Sequence, residues 1–144
     1  GSTRPWQHVL EPLSGYLWLG ARMWYDRDDL DGEAFNFGPG AQQDMTVADL
    51  LEAMAERWPG SGWQATSEEA DAGREATLLR LSCDKALRRL DWHAVMQFPS
   101  TVALTIDWYR AWQDGEVDLH DFTVGQIEQY TKMARAAGVA WSGG

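Results

Sequence analysis

The sequence predicts an α/β chain of the α+β kind, mostly helical with a few short strands. Three observations lead there. Apolar residues recur at helical spacing over several long stretches, the remaining apolar runs are short and closed by Gly or Pro, and the elements fall in the order α, β, α, β, β, α, α, α with no internal repeat. A length of 144 residues suits one domain, and 44% hydrophobic residues with 5 prolines argue against disorder. Gly1-Ser2 reads as a tag remnant and residues 139–144 as a flexible tail, which leaves 3–138 as the folded part.

Thr3 to Val9 reads as an extended entry segment. Pro12 fits the first turn of a helix, where its missing N–H costs nothing. Leu10, Leu13, Leu17, Ala21 and Trp24 follow at helical spacing, so a helix is expected from Pro12 to Asp26. Asp26 to Glu33 is acidic, ends near Gly32 and reads as a loop. Asp26, Asp28, Asp31 and Gly32 resemble a calcium loop only superficially: counted from Asp26, position 5 is Leu30 and position 12 is Phe37, neither of which offers an oxygen ligand. Ala34 to Gly38 is a short strand stopped by Pro39-Gly40. Thr46 with Asp49 approximates a capping box ahead of a helix whose apolar face is Val47, Leu50, Leu51, Met54 and Trp58.

Gly62 to Thr66 and Thr77 to Ser82 are strand candidates, separated by an acidic loop from Ser67 to Gly73. Asp84 to Leu90 is a short helix. Pro99-Ser100 opens a long one that Gly115 stops. Thr123 caps a last helix, with Gln126 in the reciprocal position and Gly138 after its end. Nine tryptophans and four tyrosines are a heavy aromatic load, most of it expected in the core. Trp6, Trp92, Trp108 and Trp112 are assigned to packing.

Charge and chemistry exclude several functions. A net charge of −10 without a basic face longer than Arg88-Arg89 argues against nucleic acid as a partner. No apolar run reaches membrane-spanning length, and no leader segment is evident. With Cys83 as the single cysteine no intrachain disulfide can form, which suits a reducing, cytoplasmic setting. No G-x-G-x-x-G, Walker loop or G-x-S-x-G occurs, and Tyr130 is two residues from Lys132 rather than four. His8, His93 and His120 are scattered, so no metal site is expected.

Seven motifs carry a resemblance. Arg4-Pro5-Trp6-Gln7-His8-Val9-Leu10-Glu11-Pro12-Leu13 is similar to the R-P-W-Q-H-V-L-[ED]-P-L signature of the CDP-glucose 4,6-dehydratases. Ala34-Phe35-Asn36-Phe37-Gly38-Pro39 resembles their W/F-N-F-G-P strand, and Glu75-Ala76 their H-E-A. Leu81-Ser82-Cys83-Asp84-Lys85-Ala86 resembles L-D-C-S-K-A, and Leu90-Asp91-Trp92 resembles L-G-W. Thr105-Ile106-Asp107-Trp108-Tyr109 resembles T-V-E-W-Y, and Phe122-Thr123 with Gln126-Ile127 and Tyr130 resembles F-T-x-x-Q-I-x-x-Y. The matches keep their order over residues 3 to 130. Ser82 and Asp84 exchange the usual acid and serine about Cys83, Arg74 stands where histidine is usual, and Gly125 replaces a glutamate.

The resemblance implies the C-terminal, substrate-binding part of an extended short-chain dehydrogenase/reductase without its N-terminal Rossmann sheet. The parent lyase would use bound NAD to convert CDP-glucose to its 4-keto-6-deoxy product in deoxysugar biosynthesis. By the same token this chain would hold no catalytic residue and no cofactor, and would bind a sugar nucleotide weakly or not at all. Arg4 would meet the pyrophosphate, as a guanidinium fork matches phosphate oxygens; the alternative is an exposed arginine at a frayed end. Asn36 would lie near the nucleotide or form a local turn, and His8 would orient Arg4 or pack. Arg74 and Glu75 would approach ribose and base or form a solvated pair. The Ala34 to Gly38 strand would have lost its sheet, and an orphaned edge seeks another chain. Self-association, or docking with the missing N-terminal half, is therefore expected. A different class of reading is a non-catalytic binding or assembly module that reuses this half-fold.

Overall fold

A computed structural model describes residues 3–40, 45–64 and 81–143. The described chain is mostly helical with one two-stranded sheet. β1 (Thr3–Arg4) pairs antiparallel with β2 (Met45–Thr46), Thr3 opposite Thr46 and Arg4 opposite Met45. Between them lie α1 (Leu10–Tyr25) and α2 (Arg27–Leu30), and after β2 comes α3 (Val47–Arg57). The second half supplies α4 (Asp84–Leu90), α5 (Phe98–Asp114), α6 (Leu119–Ala137) and a closing 3₁₀ turn at Ala140–Ser142.

Local chemistry places most helix ends where the sequence puts them. The Thr46 hydroxyl accepts the Asp49 N–H at 3.1 Å while the Asp49 carboxylate accepts the Thr46 N–H at 2.7 Å, a complete capping box. Gly115 and Gly138 close α5 and α6 with φ of 66° and 70°, the left-handed conformation that a Cβ disfavours. α6 begins four residues before the Thr123 start read from the sequence. The Asp118 carboxylate accepts the N–H groups of His120 and Asp121 at 2.8 and 3.1 Å and is the true cap. Thr123 sits inside the helix, its hydroxyl donating to the Leu119 carbonyl at 2.6 Å.

Other differences come from tertiary packing. Ala34 to Gly38 forms no strand: among the described residues it has no ladder partner. Side chains take two of its carbonyls instead: Gln7 Nε2 donates to Phe37 at 3.1 Å and Lys85 Nζ to Ala34 at 2.9 Å. The Asp26 to Glu33 loop contains α2, which buries Leu30. The two-residue β1–β2 sheet has no counterpart in the sequence reading. Residues 62–64 and 81–83 are irregular, and the rest of the two candidate strands lies outside the described residues. Trp112 is 60% exposed, so its assignment to packing is corrected, whereas Trp92 is fully buried. The stretch from 139 on, read as a flexible tail, folds back: Val139 and Ser142 are buried and the Trp141 ring stacks on Tyr130 at 5.5 Å.

The core has three parts. Leu30, Phe37, Ala86, Leu90 and Trp92 pack against the inner face of α1 through Trp18, Leu19 and Met23. Met96, Leu104 and Tyr130 join α5, α6 and the start of α1. Phe98, Val102 and Ile106 receive α3, Trp6 and Met45. Among the described residues no helix is long and apolar enough to cross a membrane.

Candidate functional site

The signature segment 4–13 is held by an acid at its centre. Glu11 is 1% exposed. Its Oε1 accepts the N–H groups of Val95 and Met96 at 2.9 and 2.5 Å, and its Oε2 accepts the Tyr130 hydroxyl at 2.9 Å. Ser14 Oγ lies 3.0 Å from that hydroxyl, receives the Trp92 indole N–H at 3.0 Å and donates to the Glu11 carbonyl at 2.7 Å. One carboxylate thus ties α1 to α6 and to the segment between α4 and α5. Burial raises the Glu11 carboxyl above its usual value, and the donors from Met96, Tyr130 and Val95 pull the other way. Burial also pushes the Tyr130 hydroxyl well up, so it stays protonated and spent on the network. A lone acid among the apolar positions Leu10, Leu13 and Leu17 is the sequence signal for this role, and the sequence reading passed over it.

Two clefts flank this anchor. The first, about 350 Å³, lies between Gln7–Leu10, α5 and α6, and its wall includes Thr105, Trp108, Tyr109, Thr123 and Gln126. All of its lining residues belong to three of the matched motifs. Its polar groups are largely committed: Trp108 Nε1 donates to Thr123 Oγ1 at 2.9 Å and Gln126 Nε2 to the Leu104 carbonyl at 2.8 Å. Gln7 Oε1 is buried and has no hydrogen-bond partner among the described residues. His8 is 7% exposed, and its Nδ1 accepts the Leu10 N–H at 3.3 Å. Burial lowers its pKa, so the ring is neutral with its proton on Nε2.

The second cleft, about 570 Å³, is formed by 38–40, 81–84, Leu87 and 92–94. It joins three further motifs. Asn36 Nδ2 donates to the Ser82 carbonyl at 3.2 Å and fastens the 34–38 segment to the start of α4. Gly38 is closely packed there: a Cβ would lie 3.1 Å from Leu81 and 3.3 Å from Cys83 Sγ, so those side chains would have to give by a few tenths of an ångström. Burial raises the Cys83 thiol, with Asp84 adding to it against the Gly38 N–H donor, so it remains a thiol rather than a nucleophilic thiolate.

The structure separates the residues singled out from the sequence. Arg4 sits half-buried in β1 with Nη1 donating to the Thr3 carbonyl at 2.8 Å, and it lines neither cleft. His8 lines the first cleft, and Asn36 braces the second from its edge. Gln7 links the two regions through its bond to Phe37. Arg74 and Glu75 lie outside the described residues. Neither cleft holds a described lysine or arginine, so the described residues alone do not pair a phosphate. Among them one cluster has metal-ligating side chains, exposed Asp118, His120 and Asp121, and Asp118 is occupied by capping α6.

No protein-family model matches the chain. It is similar to a CDP-glucose 4,6-dehydratase from Salmonella typhimurium, with 37% identity over 116 residues. The aligned stretch is 80% of this chain and 32% of that protein, so the chain spans about a third of its relative's length, as a C-terminal piece would.

Proposed function

We propose that this chain is the C-terminal, sugar-nucleotide-binding part of a cytoplasmic CDP-glucose 4,6-dehydratase and that by itself it does not catalyse. The observation that carries this reading is the 37% identity over 116 residues to such an enzyme. The packing supports it, since six of the seven matched motifs fall into two clefts and the shared anchor of Glu11 and Tyr130.

NAD does not fit the residues described. They contain no glycine-rich turn opening a helix onto a strand, which is what a dinucleotide's phosphates need. Tyr130 cannot serve as a proton-transferring tyrosine, because its hydroxyl is buried between Glu11 and Ser14 and its pKa is raised rather than lowered. The hydride chemistry is assigned to the portion of the parent that this chain lacks.

The second cleft is the proposed half-site. Asn36 holds its wall and Gly38 lets the backbone approach closely. Arg74 and Glu75 precede Leu81, which lines it. Arg4 and His8 are proposed contacts of the complete site, Arg4 for the pyrophosphate. Weak binding in isolation is the expectation, because the described lining of this cleft contains no lysine or arginine.

Titration with CDP-glucose and CDP by calorimetry tests this, together with an assay for 4-keto product in the presence of NAD. Dissociation constants from about 1 µM to about 1 mM, lost in Asn36→Ala, support a retained half-site. Turnover by this chain alone refutes the reading. A second reading, an assembly module, is favoured by the apolar surface of α1, and CDP-glucose binding at the Asn36 cleft counts against it.

A further inference from the structure

The fully buried positions of α1 are an acid, a serine and a glycine: Glu11, Ser14 and Gly15. Spaced i, i+3 and i+4, they share one face of the helix. Apolar burial alone favours large aliphatic residues at such positions. This face instead suits hydrogen bonding and close approach.

Its contacts lead to the second cleft. One wall of that cleft, 38–40, follows Phe37, whose ring lies against the backbone of α1: a Cβ on Gly15 would come within 2.3 Å of it. The other wall, 92–94, belongs to a segment, 91–97, that is neither helix nor strand, so side-chain ties set its position. At one end Ser14 Oγ receives the Trp92 indole N–H at 3.0 Å. At the other, Glu11 Oε1 receives the Val95 and Met96 N–H groups. The walls meet where the Phe37 and Trp92 rings pack edge to face at 4.9 Å. Both walls therefore hang on one turn of α1.

We propose that Ser14 is a positioning residue for the second cleft: by holding the Trp92 indole it fixes the 92–94 wall against the 38–40 wall. Ser14 does not line that cleft and acts on it through Trp92, which does. Its one hydroxyl hydrogen goes to the Glu11 carbonyl at 2.7 Å, which leaves its lone pairs to the Trp92 and Tyr130 donors. Trp92 is fully buried, and without the Ser14 oxygen its N–H must find water or another acceptor. Phe37, Ala86 and Leu90 enclose the ring on the core side, while the space beside it is the cleft. The 92–94 wall is the part that yields.

The effect on ligand binding rests on the nucleotide reading of this cleft, whereas the geometry does not. Cys83 lines the same cleft and is the chain's single cysteine, so its alkylation by iodoacetamide reports on the cleft without any nucleotide. Burial pushes its thiol up, so a loosened wall raises both access and the thiolate fraction. Under native conditions Ser14→Ala should speed alkylation at least about threefold. By calorimetry it should weaken CDP binding about 3- to 10-fold. Thr46→Val, which weakens the cap of α3 and lines no part of the cleft, should change neither. Trp92→Phe removes the same N–H and should also speed alkylation, and adding Ser14→Ala to it should change the rate by less than about 1.5-fold. An unchanged alkylation rate in Ser14→Ala overturns the proposal. So does an effect that persists in full in the Trp92→Phe background, or one that Thr46→Val reproduces. Where the unsubstituted chain binds CDP, an unchanged affinity in Ser14→Ala overturns it too. Faster alkylation beside no CDP binding by the unsubstituted chain upholds the positioning role and refutes the nucleotide reading instead.

Discussion

Replacing Glu11 by alanine should cost roughly 3 kcal/mol of folding stability, and the magnitude follows from what the carboxylate holds. It accepts two backbone N–H groups and one hydroxyl. The Met96 N–H is buried, and its bond to the Glu11 carboxylate, a hydrogen bond to an acidic group, is worth about 1.5–3 kcal/mol. Val95 is half-buried and water can replace part of its bond, while Tyr130 keeps Ser14 3.0 Å away. Loss of the three bonds is offset in part because the variant no longer buries a charge. On a total stability of about 5–15 kcal/mol, roughly 3 kcal/mol lowers the urea midpoint by about 1–2 M at a slope of about 2 kcal/mol/M. Glu11→Gln is the informative companion, since its amide oxygen can still accept from Val95 and Met96 and the cost should halve.

The pH dependence gives an independent check. The folded pKa of Glu11 is raised, so its contribution is fully present below about 4.5 and declines as pH rises through the folded value. That decline should be present in the parent chain and absent from Glu11→Gln. The assay is tryptophan-fluorescence unfolding in urea at a series of pH values. A loss below about 1 kcal/mol in Glu11→Ala, or the same pH slope in both chains, would refute the claim that this buried acid anchors the signature segment.

Three further outcomes are expected. Gly15→Ala should destabilise by about 1–3 kcal/mol, because a Cβ would overlap the buried Phe37 ring, and chemical denaturation measures it. Thr46→Val should remove the hydroxyl half of the capping box, leave the backbone N–H at position 46 donating to Asp49, and cost about 1 kcal/mol, read as a lower midpoint at unchanged slope. His8 has its folded pKa lowered by burial, so its contribution is complete above about 6.5 and falls away as pH drops through the folded value; His8→Phe should flatten that limb of the stability profile.

Much of this was legible in the sequence because it is local. α4 runs over Asp84–Leu90 as read, the Thr46–Asp49 box is intact, and Gly115 and Gly138 stop their helices, since caps and left-handed glycines act within a turn. The ordered motifs from Arg4 to Tyr130 carried the likeness to CDP-glucose 4,6-dehydratases, which similarity over 80% of the chain supports. Tertiary structure decided the rest, because it depends on residues far apart in the chain. The 34–38 segment has strand composition, yet a strand exists only beside another strand, and here its Phe37 ring instead meets Trp92 at 4.9 Å. Glu11 reads as a surface acid until Val95, Met96 and Tyr130 arrive from 84 to 119 residues away. The spacing of α1 shows that it is apolar on two sides, but only packing shows which side the core of this chain covers and which it leaves exposed.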